Sequence, residues 1–258
     1  MKKKLLTTAI LLVAAVALVV TTMLATVAYL SESAAVSNVF TVGNVSIEMF
    51  ETPVKPDGTV ADDFTTGSKK TADGNSYHLV PGMDYIKDPT IYIKANSEDC
   101  YIFVKVANQI RPIEDGNILK DGENGTGDAL TMREQLESKG WVALYKVNQD
   151  EIIYCYKGNV DDANVYGSVV ATSPNEQKLD LFNNFTVDPD ADISKLGGAK
   201  VTLTAFAIQD DGFNIEGTEG SKEYMCRLWN LVSNEFEFEN VVIEDAYING
   251  TDDTHKPN

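Results

Sequence analysis

Histidine supplies many general bases and zinc ligands, and this chain contains only two histidines, His78 and His255. His78 follows Tyr77 at the predicted edge of a strand, without a Gly-x-Ser-x-Gly turn or a His-Glu-x-x-His pair nearby. His255 belongs to a polar C-terminal stretch. The spacing therefore supports neither a nucleophilic triad nor a catalytic zinc site, and we expect no catalytic residue, no cofactor and no enzymatic activity.

Carboxylates offer a second kind of chemistry, and the segment Asp-Pro-Asp-Ala-Asp at 188–192 resembles the start of a calcium-binding loop. An EF-hand requires Gly at its sixth position and Glu at its twelfth, where this chain has Ile193 and Ala199. Acidic loops are common on a chain with 39 acidic residues. We assign no metal ligand, and calcium binding in another geometry stays open.

The three cysteines, Cys100, Cys155 and Cys226, form no Cys-x-x-Cys motif, so the sequence indicates neither a zinc knuckle nor a thioredoxin-like site. Cys100 and Cys155 lie in apolar, strand-like runs, which predicts buried thiols that act as small apolar side chains. An odd number leaves at least one cysteine without an intramolecular partner, and the disulfide state stays open.

The N-terminus has the pattern of an export signal. Lys2, Lys3 and Lys4 precede an uncharged apolar run over residues 5–30. Thr26 and Ala28 provide the small residues that a signal peptidase accepts, so we predict a signal peptide over residues 1–28 and cleavage between Ala28 and Tyr29. The apolar run also reaches the roughly 20 residues that span a bilayer, and an uncleaved membrane anchor is the alternative.

Charge excludes several classes of partner. The chain has 258 residues and a formal net charge of −18, which becomes −21 when the three lysines of the leader are removed. Such a field repels nucleic acid and anionic lipid, so we expect no nucleic-acid partner and membrane contact only through the uncleaved signal segment. The rest is long enough for one domain over residues 29–250, followed by a polar tail at 251–258.

Alternation of apolar and polar residues predicts that this domain is rich in strands. Val45, Ile47 and Met49 mark a half-buried strand, and the run 100–107 is apolar on both faces, as expected for a strand in the middle of a sheet. Further strands are predicted at residues 90–94, 141–147, 151–156, 179–187, 201–208, 236–239 and 241–248. Residues 141–156 are predicted to form a hairpin around 148–150.

Two segments have helical signals instead. Thr131 and Glu134 have capping-box spacing at the start of residues 131–138, and apolar residues recur at helical spacing over 223–232. Long polar loops separate the elements. The sequence therefore predicts a mainly β fold, an antiparallel jelly-roll-like β-sandwich with long loops and two short helices.

Residues 25–32 (Ala-Thr-Val-Ala-Tyr-Leu-Ser-Glu) and 38–45 (Asn-Val-Phe-Thr-Val-Gly-Asn-Val) resemble the N-terminus of the TasA/camelysin family. That family is exported by Gram-positive bacteria and processed by a SipW-type signal peptidase. The Pro-Gly turn at 79–82 and the segment 201–213 with Trp229 downstream are also similar. Leu-Ser-Glu at 30–32 replaces the commoner Phe-Thr-Asp, and residues 110–178 do not match the family pattern.

The resemblance implies a secreted protein of the extracellular matrix or cell surface that self-associates into biofilm matrix fibres. In such fibres the mature N-terminal segment of one subunit adds as a donor strand to the next. Residues 29–42 are the candidate segment here, with donor-strand candidates Val36, Val39, Phe40 and Val42, and we expect them to be poorly tied down in a monomer. The alternative is that they form the first strand of their own sheet.

Two other functions remain open from the sequence. Camelysin-type members are described as surface metalloproteases, although this chain lacks an obvious set of three protein ligands for zinc. A monomeric surface adhesin or a fibre accessory protein is the other alternative. The sequence does not say whether the chain polymerises alone.

Overall fold

A computed structural model describes residues 33–42, 44–65, 74–115 and 130–233 of the chain. Over these residues the fold is mainly β, with antiparallel sheets and two helices, as the alternation predicted. The predicted signal peptide, its cleavage site at Ala28 and Tyr29, His255 and the predicted strands after residue 234 lie outside the described residues. None of the helices in the described part is long and apolar enough to cross a membrane.

The described chain contains eleven strands and two α-helices. The strands are β1 Ser33–Val42, β2 Ile47–Phe50, β3 Ser76–Tyr77, β4 Asp84–Ile86, β5 Thr90–Ile93, β6 Cys100–Asn108, β7 Trp141–Lys146, β8 Glu151–Tyr156, β9 Gln177–Asp180, β10 Asn184–Thr186 and β11 Val201–Gln209. The helices are α1 Met132–Ser138 and α2 Lys222–Ser233, with short 3-10 turns at Arg111–Ile113 and Ile193–Lys195.

The largest sheet has six strands in the order β3-β1-β11-β6-β8-β7. Its pairings are antiparallel except for β1 with β11, which run parallel. β6 occupies the central position that its apolar faces predicted, between β11 and β8. The predicted hairpin is confirmed as β7 and β8, with a register shift between Ala143 and Tyr145.

A second layer consists of the three-stranded sheet β2-β5-β9 and the two-stranded sheet β10-β4. Its inward residues pack against one face of the six-stranded sheet to form the main core, as shown by Ile91 and Ile93 clustering with Ile102, Val104 and Leu203. A sandwich of this kind buries the apolar face of each layer.

Helix α2 packs on the opposite face of the six-stranded sheet and forms a second core. The Trp229 ring lies 4.5 Å from the Phe206 ring and 5.5 Å from the Phe103 ring, measured between centroids. The central strands are therefore buried on both faces, which explains why apolar residues occur on both faces of each strand instead of alternating with polar ones.

One detail differs from the sequence prediction, and a second could not be predicted from it. The single strand expected over 179–187 is wrong, because the chain forms β9 in one sheet and β10 in another, with the buried Leu181 and Phe182 between them. The strands at 90–94 and 100–107 exist but lie in different layers, joined by a turn in which Asn96 has a positive φ of 61°. A continuous apolar run does not reveal where a chain changes sheets.

The predicted capping box is present at the start of α1. The backbone N–H of Glu134 donates to the Thr131 hydroxyl over 3.2 Å, and the Thr131 N–H donates to the Glu134 carboxylate over 2.8 Å. Two backbone donors that the first turn leaves unpaired are thus satisfied by the sequence itself.

Candidate functional site

Strand β1 forms an edge of the six-stranded sheet along most of its length. Eight register pairs, from Ala35 with Val201 to Val42 with Ile208, join it to β11. On its other side, β3 pairs only with Ser33 and the following alanine. Within the described part of the chain, no strand is paired with the outer side of β1 over residues 35–42.

The four donor-strand candidates all lie in β1. In the register with β11, Val36 stands opposite Thr202, Val39 opposite Ala205, Phe40 opposite Phe206 and Val42 opposite Ile208. In a single chain this segment is thus a strand of its own sheet, which was one of the two interpretations of the sequence. The expectation that it is poorly tied down in a monomer stays a prediction. Donation to a neighbour stays a prediction.

Strand β11 is the partner on which β1 depends. It pairs with β6 along its whole length, from Val201 with Asn108 to Gln209 with Cys100. Ala205 and Ala207 face the main core, whereas Phe206 and Ile208 face the second core. Without a strand in the β1 position, this buried strand would present a row of unpaired backbone groups at the sheet edge.

The link between β1 and β2 has four residues, 43–46, and its described part lies beside the end of β11. The Asn44 backbone N–H donates to the Gln209 side-chain oxygen over 3.1 Å, and the Asn44 amide donates to the Glu98 carboxylate over 3.3 Å. The Ser46 N–H donates to the Ser97 hydroxyl over 3.2 Å. The Lys94 and Glu98 N–H groups donate to the Ser46 and Asn44 carbonyls, and Val45 is buried in the main core, so the described part of the link is fastened both to β11 and to the turn before β6.

An acidic depression opens next to this link. It has a volume of about 250 Å³ and is lined by Glu98, Asp99, Thr172, Gln209, Asp210 and Asp211. Partial burial, followed by the charge of Glu219, raises the pKa of the Asp210 carboxyl. Among the described residues, no group of three or more His, Cys, Asp or Glu is arranged to hold a metal ion.

The aspartates at 188–192 serve as turn and cap residues. The Asp188 carboxylate accepts a hydrogen bond from the Asp190 N–H over 2.7 Å, and the Asp192 carboxylate accepts one from the Ser194 N–H over 3.2 Å. Such local bonds account for closely spaced aspartates in a loop.

The cysteines and His78 differ in exposure to solvent. All three cysteines are buried free thiols, which confirms the prediction for Cys100 and Cys155. Burial raises the pKa of Cys100 to about 12 and that of Cys226 to about 11. Neutral thiols are poor nucleophiles. His78 is exposed on the loop before the Pro-Gly turn.

Sequence reasoning missed a buried ion pair between Lys87 and Glu51. The Lys87 Nζ lies 2.8 Å from Glu51 Oε2, and the two side chains are only 1% and 6% exposed. The signal was present in the alternation, because Glu51 continues the inward series Val45, Ile47, Met49. A charged residue at an inward position of a strand indicates a buried partner.

Comparison with protein-family models, with curated proteins and with solved structures finds no match to this chain.

Proposed function

We propose that this chain is an exported structural subunit of extracellular biofilm matrix fibres, in which strand β1 of one subunit pairs with β11 of the next. Two independent lines support the proposal. The N-terminal motifs resemble those of the TasA/camelysin family, and the segment that the resemblance nominates as donor is a sheet-edge strand attached through a short link.

The observation that carries the proposal is the position of β1 at the edge. A strand in the interior of a sheet cannot leave without breaking two ladders, whereas β1 over residues 35–42 is joined to a single strand, β11. The same eight register pairs form if a neighbour supplies the strand. Exchange between copies therefore conserves backbone pairing. The free-energy difference between the monomer and the exchanged form depends mainly on the link.

A short link favours exchange over return to the same sheet, because four residues leave little freedom between β1 and β2. Backbone hydrogen bonds supply an affinity that does not depend on the sequence of the added strand. Register is set by the side chains, since a slip of one residue turns every side chain to the other face. Burial of Phe40 alone is worth on the order of 2–3 kcal/mol.

Export controls the timing of assembly in this proposal. The donor becomes free only when a SipW-type signal peptidase cuts between Ala28 and Tyr29, so the tethered precursor does not polymerise. Mature protein from the native host should begin at Tyr29. N-terminal sequencing that finds Met1 intact on the fibre form would contradict this order of events.

A disulfide trap tests the exchange directly. Val36 and Thr202 are register partners, and directly paired strand positions have the Cα separation that a disulfide needs. We mix two single variants, Val36→Cys and Thr202→Cys, under assembly conditions and then oxidise them. We expect covalent dimers in the mixture and none in either variant alone, since the native cysteines are buried in both.

Electron microscopy of the mature protein provides the second readout. Fibres that form without any covalent dimer in the mixture would exclude β1–β11 exchange, while a protein that stays monomeric would favour the adhesin or accessory function. We also propose that the subunit is not an enzyme, and zinc-dependent peptide hydrolysis by the pure protein, lost in His78→Ala, would overturn that part.

A further inference from the structure

The Glu51–Lys87 pair is built into the main core by contacts on both sides. Thr52, which follows Glu51, donates through its N–H and its hydroxyl to the Asp88 carboxylate, each over 2.7 Å. Asp88 in turn follows Lys87. These two hydrogen bonds hold residues 51–52 against residues 87–88. The Lys87 Nζ then lies 2.8 Å from Glu51 Oε2.

An aromatic cluster adjoins the pair, and the Asp88 carboxylate is the nearby charge that also acts on Lys87. Tyr77, Tyr85 and Phe185 form a trio of rings with centroid separations between 5.2 and 5.8 Å. The Tyr77 hydroxyl donates to the Ile86 carbonyl, next to Lys87, and burial together with the Glu51 charge raises the Tyr77 pKa. Tyr77 thus lies close to the carboxylate without donating its proton to it.

The carboxylate is incompletely satisfied. Glu51 Oε1 is buried and, among the described residues, has no hydrogen-bond donor. Burial lowers the pKa of the Lys87 ammonium, against the opposing effect of Glu51. A buried ion pair is stable only when the remaining lone pairs are satisfied, so this pair gains by losing its charges.

We propose that Lys87 and Glu51 condense into an intramolecular isopeptide bond. The proton shared across the hydrogen bond moves from Nζ to Oε2, which leaves a neutral amine beside a neutral carboxylic acid. The Nζ lone pair attacks Cδ of Glu51 and forms the C–N bond. The C–O bond then breaks, the departing hydroxyl takes a proton from the nitrogen, and one water molecule leaves. No oxidant, reductant or co-reactant is required.

Proximity and burial both drive this step. Cδ is bonded to Oε2, so it lies within about 4 Å of the amine by bond geometry. Fixed reactants reach effective concentrations on the order of 10⁵ M or more once the reacting atoms are aligned about 3–3.5 Å apart, which needs only a small approach from this position. In water the charged amine and carboxylate are favoured over the amide, whereas a dry core penalises the two charges and favours the neutral product.

The bond would fasten two parts of the sandwich together. Glu51 directly follows β2, and Lys87 directly follows β4, 36 positions further along the chain. Since β2 is joined to β1 by the four-residue link, tension that enters a subunit through β1 would pass into a covalent bond one residue after β2. The condensation itself does not depend on the fibre proposal.

Peptide mass mapping of the folded, full mature chain tests the proposal. After denaturation and proteolysis, we expect a cross-linked pair of peptides containing Glu51 and Lys87, lighter than their sum by one water molecule. Lys87→Met removes the nucleophile and should abolish the species. Lys94→Met is the matched control, because Lys94 also contacts a glutamate of β2, Glu48, over 2.6 Å, with both side chains over a third exposed.

Two results would overturn the proposed bond, a third would overturn the role of burial in forming it, and none depends on a variant folding. The first is a wild-type protein that is folded and yields only unlinked Lys87 peptide. The second is a link from Lys87 to the neighbouring buried Asn75, recognised by loss of ammonia instead of water. The third is an equal yield of a Glu48–Lys94 link, which would show that proximity without burial is sufficient.

Discussion

The two edges of the six-stranded sheet differ in the sequence separation of their paired strands. At the β7 edge the separation is small, since β7 and β8 form a hairpin whose turn covers only residues 147–150. At the β1 edge it is large, since Ala35 pairs with Val201 across most of the chain. Closing a hairpin costs little conformational entropy, and a contact of long sequence separation forms late.

The β7 edge is also fixed by side chains. The Trp141 indole N–H donates to the Asp180 carbonyl over 3.0 Å, and its ring lies 5.2 Å from the Tyr156 ring. At the β1 edge, the described attachments of β1 are the backbone register with β11, the short pairing with β3 and the link to β2. In the proposed assembly, the β1 edge is exchanged as a unit, whereas exchange of the β7 edge would require the hairpin to unfold.

The largest effect that separates the two edges is expected in assembly. Phe40→Asp places a charge in the β1 ladder opposite Phe206 and should abolish fibre growth. Tyr145→Asp places the same charge on β7 and should leave fibre growth intact. Negative-stain electron microscopy and circular dichroism of both variants provide the measurement.

Three outcomes of that experiment are informative. Loss of fibres in both variants, with both still folded, would place the interface at β7. Normal fibres from Phe40→Asp, or from a deletion of residues 29–38, would show that the segment is not the donor. Loss of fold together with fibres in Phe40→Asp would show that β1 serves only its own domain.

A second effect is expected in stability at the β7 edge. Gly140, which precedes β7, has a φ of +83°, and a Cβ there would lie 2.5 Å from the Gly158 carbonyl oxygen. Gly198 has a similar φ of +73° with nothing within 4 Å of the Cβ position. Gly198→Ala should cost about 1 kcal/mol of unfolding free energy from backbone strain alone. Gly140→Ala should cost roughly 2–4 kcal/mol, because overpacking is added to that strain.

Urea unfolding measures both free energies, and the difference between the two alanine variants isolates the contact. Fibre formation should survive in Gly140→Ala wherever the protein is still folded, because the β7 edge does not take part in the proposed assembly. Equal losses of stability in the two variants would mean that the close approach to Gly158 is relieved by movement of the loop.

The elements with strong local signals were predictable from the sequence. The capping box at Thr131 and Glu134 satisfies its donors within one turn, and the 141–156 hairpin is set by neighbouring residues, so neither needs the rest of the fold. The sheet to which a strand belongs was not predictable. Residues 179–187 are uniformly suited to strands, and their division between β9 and β10 depends on partners far away in the sequence.

The same contrast between local sequence signals and distant partners applies to the candidate site. The β1 segment was identified from its alternation and from its resemblance to a family, but its partner β11 is set by tertiary pairing. The Glu51–Lys87 pair was missed because each residue alone is an ordinary charged residue. Only the inward parity of Glu51 carried a signal, and identifying Lys87 as its partner required the packing of β2 against β4.

The smallest expected effect concerns the acidic depression beside the β1 link. The pKa of Asp210 is raised in the folded protein by burial and by Glu219, so its charged form is less favourable there than in the unfolded chain. The protonated Asp210 carboxyl therefore contributes to the free energy of unfolding below the unfolded pKa of about 4. That contribution is lost as the pH rises through the folded pKa. Asp210→Asn should stabilise the protein at pH 7 by about 0.5 kcal/mol, the scale of a partly exposed, salt-screened charge, and should have no such advantage near pH 4.

Asp190→Asn makes the same change of charge in a separate turn and serves as the control in thermal unfolding across this pH range. A stabilisation of equal size in both variants would assign the effect to the net charge of −18 and not to the depression.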